Sequence, residues 1–296
     1  MFQILCIVAR GSRLSVAEGC VSVRNDGHGE PFVVSFDDLD AVIVEEQAVT
    51  LTGEFLVRLA EKRIPVILCD RHHLPVSVLD PFIADGADSH TLLRLQIAAP
   101  LPWQKQLWQK LVRAKIAGQS ANLTRCGQLP MAQLVRSVRS GDPGNIEARA
   151  AALYWSRLRL FSARDRYAQD ANRLFNYVYT LLYSAFARYL CAAALNPDIG
   201  IHHRSKYNHF ALASDLMEPF RPVADQCVFR FMEARPGTSE LDVANRTALL
   251  EQTYNCRVRI AGRVFSLWEA VNETVHSYKR SLVEKEVSRL SLPEVM

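Results

Sequence analysis

The sequence contains no long hydrophobic run. Nowhere in its 296 residues do apolar side chains continue for the roughly 18 positions that a membrane-spanning helix requires. The apolar residues 1–9 are few and have no basic segment ahead of them, so they do not predict a secretory signal. We therefore expect a cytoplasmic protein without a membrane partner.

Paired cysteines and a strong net charge are also missing. The seven cysteines are scattered along the chain, which argues against a disulfide framework and against a zinc site of the cysteine type. We expect them to be small buried side chains in a reducing compartment. The formal net charge is only +4 at pH 7, which permits nucleic-acid binding without requiring it.

The spacing of apolar residues changes near residue 85. Before this point, short runs predict strands over 3–8, 13–16, 20–24, 32–36, 41–45, 66–69 and 76–79, with one helix capped by Thr52. After it, helical spacing predicts helices over 90–98, 103–119, 131–139, 145–163, 173–194, 213–234, 242–252 and 267–290. Residues 80–89 contain Pro, Gly and Asp and are typical of a linker.

This change predicts an α+β protein. Residues 1–85 would form a small β-rich, sandwich-like N-terminal domain, and residues 86–99 the linker and first helix. Residues 100–296 would form a larger, all-α domain, and whether it is catalytic and binds a metal is not decided by its fold. Because one fold can support many functions, the function has to be inferred from particular side chains.

The densest cluster of ionisable side chains lies between residues 198 and 225. Asp215 and Glu218 are three residues apart, so on a helix both carboxylates face the same side. His202 and His203 precede them in an expected loop. Two carboxylates and an imidazole are a ligand set that suits Mg²⁺ or Mn²⁺. Chemistry alone does not decide between the two histidines.

A third acidic ligand is expected, because two carboxylates and one histidine leave such an ion under-coordinated. Glu147 is the candidate, since it follows a Pro-Gly break in the first turn of a predicted helix. The helix dipole favours an acidic residue at this position for structural reasons too. A carboxylate pair three residues apart is also typical of a solvated helix face, so the residues alone leave both interpretations open.

Basic side chains are the expected contacts to a phosphate backbone. Arg204, Lys206 and Arg221 flank the acidic and histidine cluster and are our candidate DNA-binding residues. Other basic residues on predicted helices are expected to be solvated charges: Lys105, Lys110, Arg113, Lys115, Arg157, Arg159, Arg164 and Arg166. The tryptophans are expected to pack in the core: Trp103, Trp108, Trp155 and Trp268.

Two strings in the cluster resemble a known family. Residues 200–208 read Gly-Ile-His-His-Arg-Ser-Lys-Tyr-Asn, and residues 215–222 read Asp-Leu-Met-Glu-Pro-Phe-Arg-Pro. Both are similar to the signature of the CRISPR-associated endonuclease-integrase of spacer acquisition, in the variant of type II systems. The resemblance extends over nearly the whole chain, through residues 35–45, 64–70, 147–155 and 170–183.

The resemblance implies a metal-dependent DNA endonuclease and integrase that inserts captured DNA into a CRISPR array by 3′-OH transesterification. It implies Glu147, His203 and Glu218 as catalytic ligands of Mg²⁺ or Mn²⁺ in the C-terminal domain, with Asp215 and His202 supporting them. It also implies double-stranded DNA as a partner, both as captured fragment and as CRISPR array. The chain would form a homodimer through the N-terminal domain, and a small CRISPR adaptation protein would join two dimers into a heterohexamer.

Two other functions remain open from the sequence. One is a metal-dependent DNA-repair nuclease that acts by hydrolysis only, and the other is a non-enzymatic helical protein that binds nucleic acid. Joining of a 3′-OH fragment separates the integrase from the first, and alanine substitution of Glu147, His203 and Glu218 separates it from the second. The enzymatic interpretation requires these three side chains to converge in the folded chain.

Overall fold

The computed structural model describes residues 4–25, 29–70, 75–79, 86–160, 170–203, 208 and 210–295. Strands occupy most of the N-terminal part and helices most of the remainder, which confirms the predicted mixed fold. The N-terminal elements are β1 (Ile4–Ile7), β2 (Arg13–Ala17), β3 (Cys20–Arg24), β4 (Phe32–Val34), β5 (Ala41–Val44), β6 (Thr50–Leu51), α1 (Gly53–Glu61), β7 (Val66–Cys69) and β8 (Pro75–Leu79).

These strands form two four-stranded sheets. In the first sheet, ordered β1-β5-β7-β8, the first three strands are parallel and β8 is antiparallel to β7. In the second, ordered β4-β3-β2-β6, β2 to β4 form an antiparallel meander and β6 is parallel to β2. Glu18 and Gly19 connect β2 to β3 with φ of 51° and 76°, the backbone that a two-residue hairpin loop of type I′ requires.

The first sheet lies between two hydrophobic cores. Successive side chains of a strand point to opposite faces. Val42 and Val66 accordingly belong to the N-terminal core, while Ile43 and Ile67 belong to the larger core of the helices. Every residue of β5 is buried. A strand that is covered on both faces has a continuously apolar sequence and does not alternate between apolar and polar residues.

The C-terminal part is mostly helical. Its helices are α2 (Gly86–Ile97), α3 (Leu101–Arg125), α4 (Ala132–Ser137), α5 (Ile146–Leu158), α6 (Asn172–Ala192), α7 (Ala211–Met217), α8 (Arg221–Ala234), α9 (Val243–Asn255) and α10 (Leu267–Glu284). A capping box begins α10: the Ser266 hydroxyl accepts from the backbone N–H of Glu269 at 3.3 Å, and the Glu269 carboxylate accepts from that of Ser266 at 2.8 Å. The two bonds satisfy donors that a helix start otherwise leaves unpaired.

Helix α3 brings the parts of the candidate site together. It contacts α5, α8 and the short 3-10 segment Glu218–Phe220 that lies between α7 and α8. A Cβ atom added to Gly118 of α3 would lie 2.9 Å from both Pro222 and Val295. Glycine at this position therefore allows the start of α8 to approach α3 closely.

Two parts of the helical prediction are wrong. Residues 257–266 form an antiparallel hairpin of β9 (Arg257–Ile260) and β10 (Arg263–Ser266), so the C-terminal domain is not all-α. Ala261 and Gly262 form its turn with φ of 48° and 79°. The residues before this turn alternate between polar and apolar side chains, a pattern that predicts a strand. The helix predicted over 213–234 is interrupted at Glu218–Phe220, because Pro219 and Pro222 lack the N–H that a continuous helix uses.

The domain boundaries stay predictions. Residues 80–85 of the expected linker and residues 161–163 of one expected helix lie outside the described residues, and α2 begins at Gly86. None of the helices in the described ranges combines the length and the apolar character needed to span a bilayer.

Candidate active site

Glu147 lies in the first turn of α5. Asp142 caps this helix, because its two carboxylate oxygens accept hydrogen bonds from the backbone N–H groups of Ile146 and Glu147, each at 2.9 Å. Asp142 and Asn145 have φ of 46° and 47°, so the chain turns sharply just before the helix. The cap thereby holds the backbone that carries the Glu147 side chain.

Glu218 lies in the 3-10 segment and is only 6% exposed. One of its carboxylate oxygens accepts from Arg221 Nε at 2.9 Å, and the other accepts from Lys115 Nζ at 2.5 Å. Burial alone would raise the pKa of Glu218. The charges and hydrogen bonds of Arg221 and Lys115 outweigh burial and lower this pKa from 4.5 to about 2. Glu218 is therefore ionised at neutral pH.

Lys115 joins the two glutamates. Its ammonium donates to Oε1 of Glu147 and to Oε2 of Glu218, so residues from α5 and from the 3-10 segment converge on one positive charge. Burial lowers the pKa of Lys115, but the charges of Glu218 and Glu147 outweigh burial and the pKa is raised overall. The ammonium therefore stays charged between its two partners.

The expectation that Lys115 is a solvated charge is wrong, because the residue is buried. The sequence did carry a signal. Lys115 follows the buried residues Trp108, Leu111 and Val112 by seven, four and three positions, so it lies on the same face of the helix. A lysine on an apolar face predicts a buried charge that needs acidic partners.

Asp215, fully buried in α7, organises the loop that carries the histidines. Its carboxylate accepts from the backbone N–H groups of Ile201, His202 and His203 at 2.5, 2.9 and 3.2 Å. It also contacts Nδ1 of His203 at 2.6 Å. This hydrogen bond is the main reason why the pKa of His203 is raised. Since Nδ1 is engaged, Nε2 is the nitrogen of His203 left to bind a ligand.

Gly200 permits this close arrangement. A Cβ atom at this position would lie 2.6 Å from the carbonyl oxygen of His203 and 2.9 Å from Oδ2 of Asp215. Real Cβ atoms do not approach other atoms so closely, so a side chain at residue 200 would displace the loop from the carboxylate.

The two adjacent histidines occupy different environments. The His202 ring is stacked on Trp108 with a centroid distance of 4.1 Å and an interplanar angle of 3°, and burial lowers its pKa. His203 meets the same tryptophan edge-on at 5.7 Å. Trp108 is only 4% exposed, as predicted for a core residue, but its contact with the histidines was not expected from the sequence. The structure therefore distinguishes His202 from His203, which the sequence alone did not.

The carboxylate and imidazole groups suit a divalent ion in their chemistry. Within the described residues, no three His, Cys, Asp or Glu side chains are grouped closely enough to hold a metal ion; the cation between Glu147 and Glu218 is the Lys115 ammonium. Two glutamates gathered at one positive charge and an imidazole oriented by a carboxylate are the kinds of donor that Mg²⁺ or Mn²⁺ takes. The ligand set Glu147, His203 and Glu218 stays a prediction.

The predicted DNA-binding residues are only partly described. Arg204 and Lys206 lie outside the described residues. Arg221 binds Glu218 and lies over the Tyr179 ring, with 4.7 Å between its Cζ and the ring centroid. Its role in the described structure is to hold Glu218, and its contact with DNA stays a prediction. Lys110 and Arg113, expected as solvated charges, donate to the carbonyl oxygens of Leu290 and Val138 at 2.5 and 2.9 Å.

A network of buried hydrogen bonds holds Tyr179, the residue whose ring lies under Arg221. The Tyr179 hydroxyl donates to Asp225 at 2.5 Å, and the Tyr154 hydroxyl donates to the other oxygen of Asp225 at 2.8 Å. Asn122 of α3 then donates to the Tyr154 oxygen at 3.1 Å. The network connects α3, α5, α6 and α8, and sequence reasoning missed it because its members are far apart in the chain.

Comparisons with known proteins show which family the chain belongs to. Residues 5–253 match the family model described as CRISPR associated protein Cas1. The chain is 33% identical over 296 residues to the CRISPR-associated endonuclease Cas1 of Neisseria meningitidis serogroup C (strain 8013), covering 98% of this chain and 95% of that protein. It is 25% identical over 303 residues to the CRISPR-associated endonuclease Cas1 2 of Pyrobaculum aerophilum, covering 95% and 98%.

Solved structures share the fold. A casposase bound to its integration product matches with a TM-score of 0.80 and 20% identity, over 96% of this chain and 91% of that one. A Cas1 protein from Thermotoga maritima matches with a TM-score of 0.76 and 17% identity, over 95% and 97%. The family match spans most of the chain, and the Neisseria relative aligns over almost its whole length. The chain therefore belongs to the Cas1 family of CRISPR-associated proteins.

Proposed function

We propose that this chain is a divalent-metal-dependent DNA endonuclease and integrase of CRISPR adaptation. The observation that carries the proposal is the convergence of Glu147 and Glu218 on one cation position. The orientation of His203 by Asp215 is a second, separate observation. The Neisseria and Pyrobaculum relatives are named endonucleases, and the matched casposase is bound to an integration product. A hydrolytic repair nuclease and a non-enzymatic binding protein are the alternatives to be tested.

The proposed reaction exchanges one phosphodiester bond for another. The 3′-hydroxyl of a captured DNA fragment forms a bond to phosphorus of the array strand, and the 3′-oxygen of that strand leaves with the proton. Water in place of the 3′-hydroxyl gives cleavage. A Mg²⁺ or Mn²⁺ ion held by Glu147, His203 and Glu218 would stabilise the negative charge that develops on the phosphate.

The chain's own residues keep these three ligands in place. Asp142 fixes the backbone at Glu147, and Arg221 holds Glu218. Asp215 fixes the orientation of His203 and binds the backbone of His202. Preorganised groups of this kind are what phosphoryl transfer requires, because catalysis there is mostly positioning and charge stabilisation.

Double-stranded DNA, a second copy of the chain and a small CRISPR adaptation protein are the proposed partners. A Cas6-RT-Cas1–Cas2 complex matches with a TM-score of 0.81 and 19% identity, over 98% of this chain and 36% of that one. A further match is a Cas1–DNA complex. The homodimer would form through the N-terminal sheets. The type II-like assignment is also a proposal, and its support is the string 215–222 together with the 33% identity to the Neisseria protein.

A joining assay tests the proposal. Fragments with a free 3′-hydroxyl are incubated with a supercoiled plasmid carrying a CRISPR repeat, and joined product is measured. We expect Glu147→Gln, His203→Asn and Glu218→Gln each to reduce joining by more than about 100-fold, with folding and DNA binding retained. Glu251→Gln, at an exposed position of α9, is the control and should join normally.

Other outcomes identify the alternatives. Cleavage of the plasmid without joined product would favour the hydrolytic nuclease. Normal joining by all three variants would show that these residues do not form the active site. A wild type that binds DNA but neither cleaves nor joins it would favour the binding protein.

A further inference from the structure

The buried lysine between the two glutamates requires an explanation beyond stability. The Lys115 side chain is only 7% exposed, and its neighbours on α3 include the fully buried Leu111 and Ile116. Taking an ammonium out of water costs free energy that ion pairing returns only in part. Apolar residues in place of all three side chains, Lys115, Glu147 and Glu218, would fill this space at lower cost, so the charges have a purpose other than stability.

The partners of Lys115 show what the charge does. Glu147 and Glu218 are the two acidic ligands proposed for the divalent ion, and each contributes one oxygen to the ammonium. Two carboxylates this close repel each other at low dielectric unless a cation lies between them. An ammonium and a divalent ion cannot share the position, because they repel each other too.

We propose that Lys115 is the resident cation of the metal-free site, which holds Glu147 and Glu218 together until a divalent ion displaces the ammonium from between them. The inference rests on the proposed metal-dependent function and extends it to a positioning residue on α3. The affinity for the ion is then the result of an exchange, in which the incoming charge replaces one already present. Removing the lysine charge leaves no cation between the two carboxylates, while Arg221 still binds Oε1 of Glu218.

Metal binding without DNA tests this exchange. Mn²⁺ affinity is measured by calorimetry and by electron paramagnetic resonance of free Mn²⁺. We expect Lys115→Met to bind Mn²⁺ at least about tenfold more tightly than the wild type, since no positive charge has to leave. Lys115→Arg keeps the charge in a carboxylate-binding fork and should bind no more tightly than the wild type. Lys105→Met, at an exposed position of the same helix, should match the wild type.

A second readout separates the exchange from a purely structural role. Without metal, Lys115→Met should unfold at a lower temperature than the wild type, because the carboxylates then repel. Mn²⁺ should raise its unfolding temperature by more than it raises that of the wild type, as tighter binding requires. A structural lysine would give equal metal-induced shifts. If Lys115→Met does not fold, Lys115→Gln removes the charge while retaining a hydrogen-bond donor, with the same expectation.

The outcomes distinguish the two levels of the proposal. Mn²⁺ binding that is weakened by Glu147→Gln but equal or weaker in Lys115→Met than in the wild type overturns the exchange and leaves the metal centre intact. A wild type that binds no Mn²⁺, with no change in Glu147→Gln, overturns the metal centre and the exchange with it.

Discussion

Adjacent residues of the site differ in what holds them. The His203 ring is held by the Asp215 carboxylate, which raises its pKa, while the His202 ring is stacked on Trp108 and burial lowers its pKa. Because the pKa of His203 is raised in the folded state, its contact with Asp215 stabilises the fold at pH values below the ordinary histidine pKa of 6.5. This stabilisation is lost as the pH rises through the folded-state pKa. For His202, burial penalises protonation, so its penalty develops as pH falls below 6.5.

These opposite shifts predict two separate titrations. In the metal-free protein, the midpoint of His203 should lie above 6.5 and that of His202 below it. The imidazole proton resonances give both midpoints, and His202→Asn and His203→Asn assign them. Asp215→Asn should lower the His203 midpoint, because the carboxylate that favours the imidazolium is gone. Equal midpoints for the two histidines would contradict the arrangement.

At this scale, the assignment of Glu147, His203 and Glu218 to one site stays a prediction. The family strings led to Glu147, His203 and Glu218, and the structure brings the two glutamates together at Lys115. Lys115 and Trp108 were interpreted individually, as a solvated charge and a core residue. Their actual partners depend on how α3 lies against α5 and the histidine loop, which no local pattern contains.

At the scale of elements, most helices were predicted, and their ends were less accurate. Helix α3 was expected over 103–119 and continues to Arg125. Its later turns contain polar residues that interrupt the apolar pattern, among them Ser120 and Asn122. Both are buried and hydrogen-bonded in the structure, Ser120 to the backbone of Met131 and Asn122 to Tyr154. Polar residues that find buried partners continue a helix that periodicity alone would end.

The cap of α5 gives a prediction that separates stability from activity. Asp142→Ala removes both hydrogen bonds to the start of α5, so we expect the free energy of unfolding to fall by about 1–2 kcal/mol. Because Glu147 lies in that first turn, DNA joining should also fall, by about 10- to 100-fold, as for residues that orient a ligand. Denaturant unfolding and the joining assay measure the two effects.

Asp242→Ala is the matched control. Asp242 caps α9 with a hydrogen bond of 2.7 Å from the backbone N–H of Asn245. Its loss should lower stability by about 1 kcal/mol while joining stays normal. If Asp142→Ala and Asp242→Ala affected joining equally, the cap of α5 would have no particular role in placing Glu147.

At the scale of the whole molecule, the sequence does not predict the order of the strands within the two sheets. The sequence predicted a β-rich part followed by a helical part, and the comparisons place the chain in the family that it resembles. The parallel pairing of β1, β5 and β7 joins segments separated by other elements, so no turn signal specifies it. The same holds for Ile43 and Ile67, which complete the helical core from the N-terminal sheet.

A buried ion pair links the same two parts of the chain. Glu45 directly follows β5 and its side chain is 2% exposed, whereas Arg246 lies on α9 and is 15% exposed, with 3.4 Å between their charged atoms. Arg246→Met leaves a buried carboxylate without its arginine, which should lower the free energy of unfolding by about 3–5 kcal/mol. Since Ile43 and Ile67 of the N-terminal sheet belong to the helical core, the loss should appear as a single transition at lower denaturant in circular dichroism and tryptophan fluorescence alike.

Two further variants show whether the charge of Glu45 is the cause. Adding Glu45→Gln to Arg246→Met removes the charge and should restore most of the lost stability, whereas a loss caused by packing alone would persist. Arg58→Met removes an arginine that also lies 3.4 Å from its partner, Glu61, but both side chains are about half exposed. Water already solvates that pair, so its loss should cost less than about 1 kcal/mol. Equal losses for Arg58→Met and Arg246→Met would mean that burial between the sheet and α9 adds nothing to the strength of the ion pair.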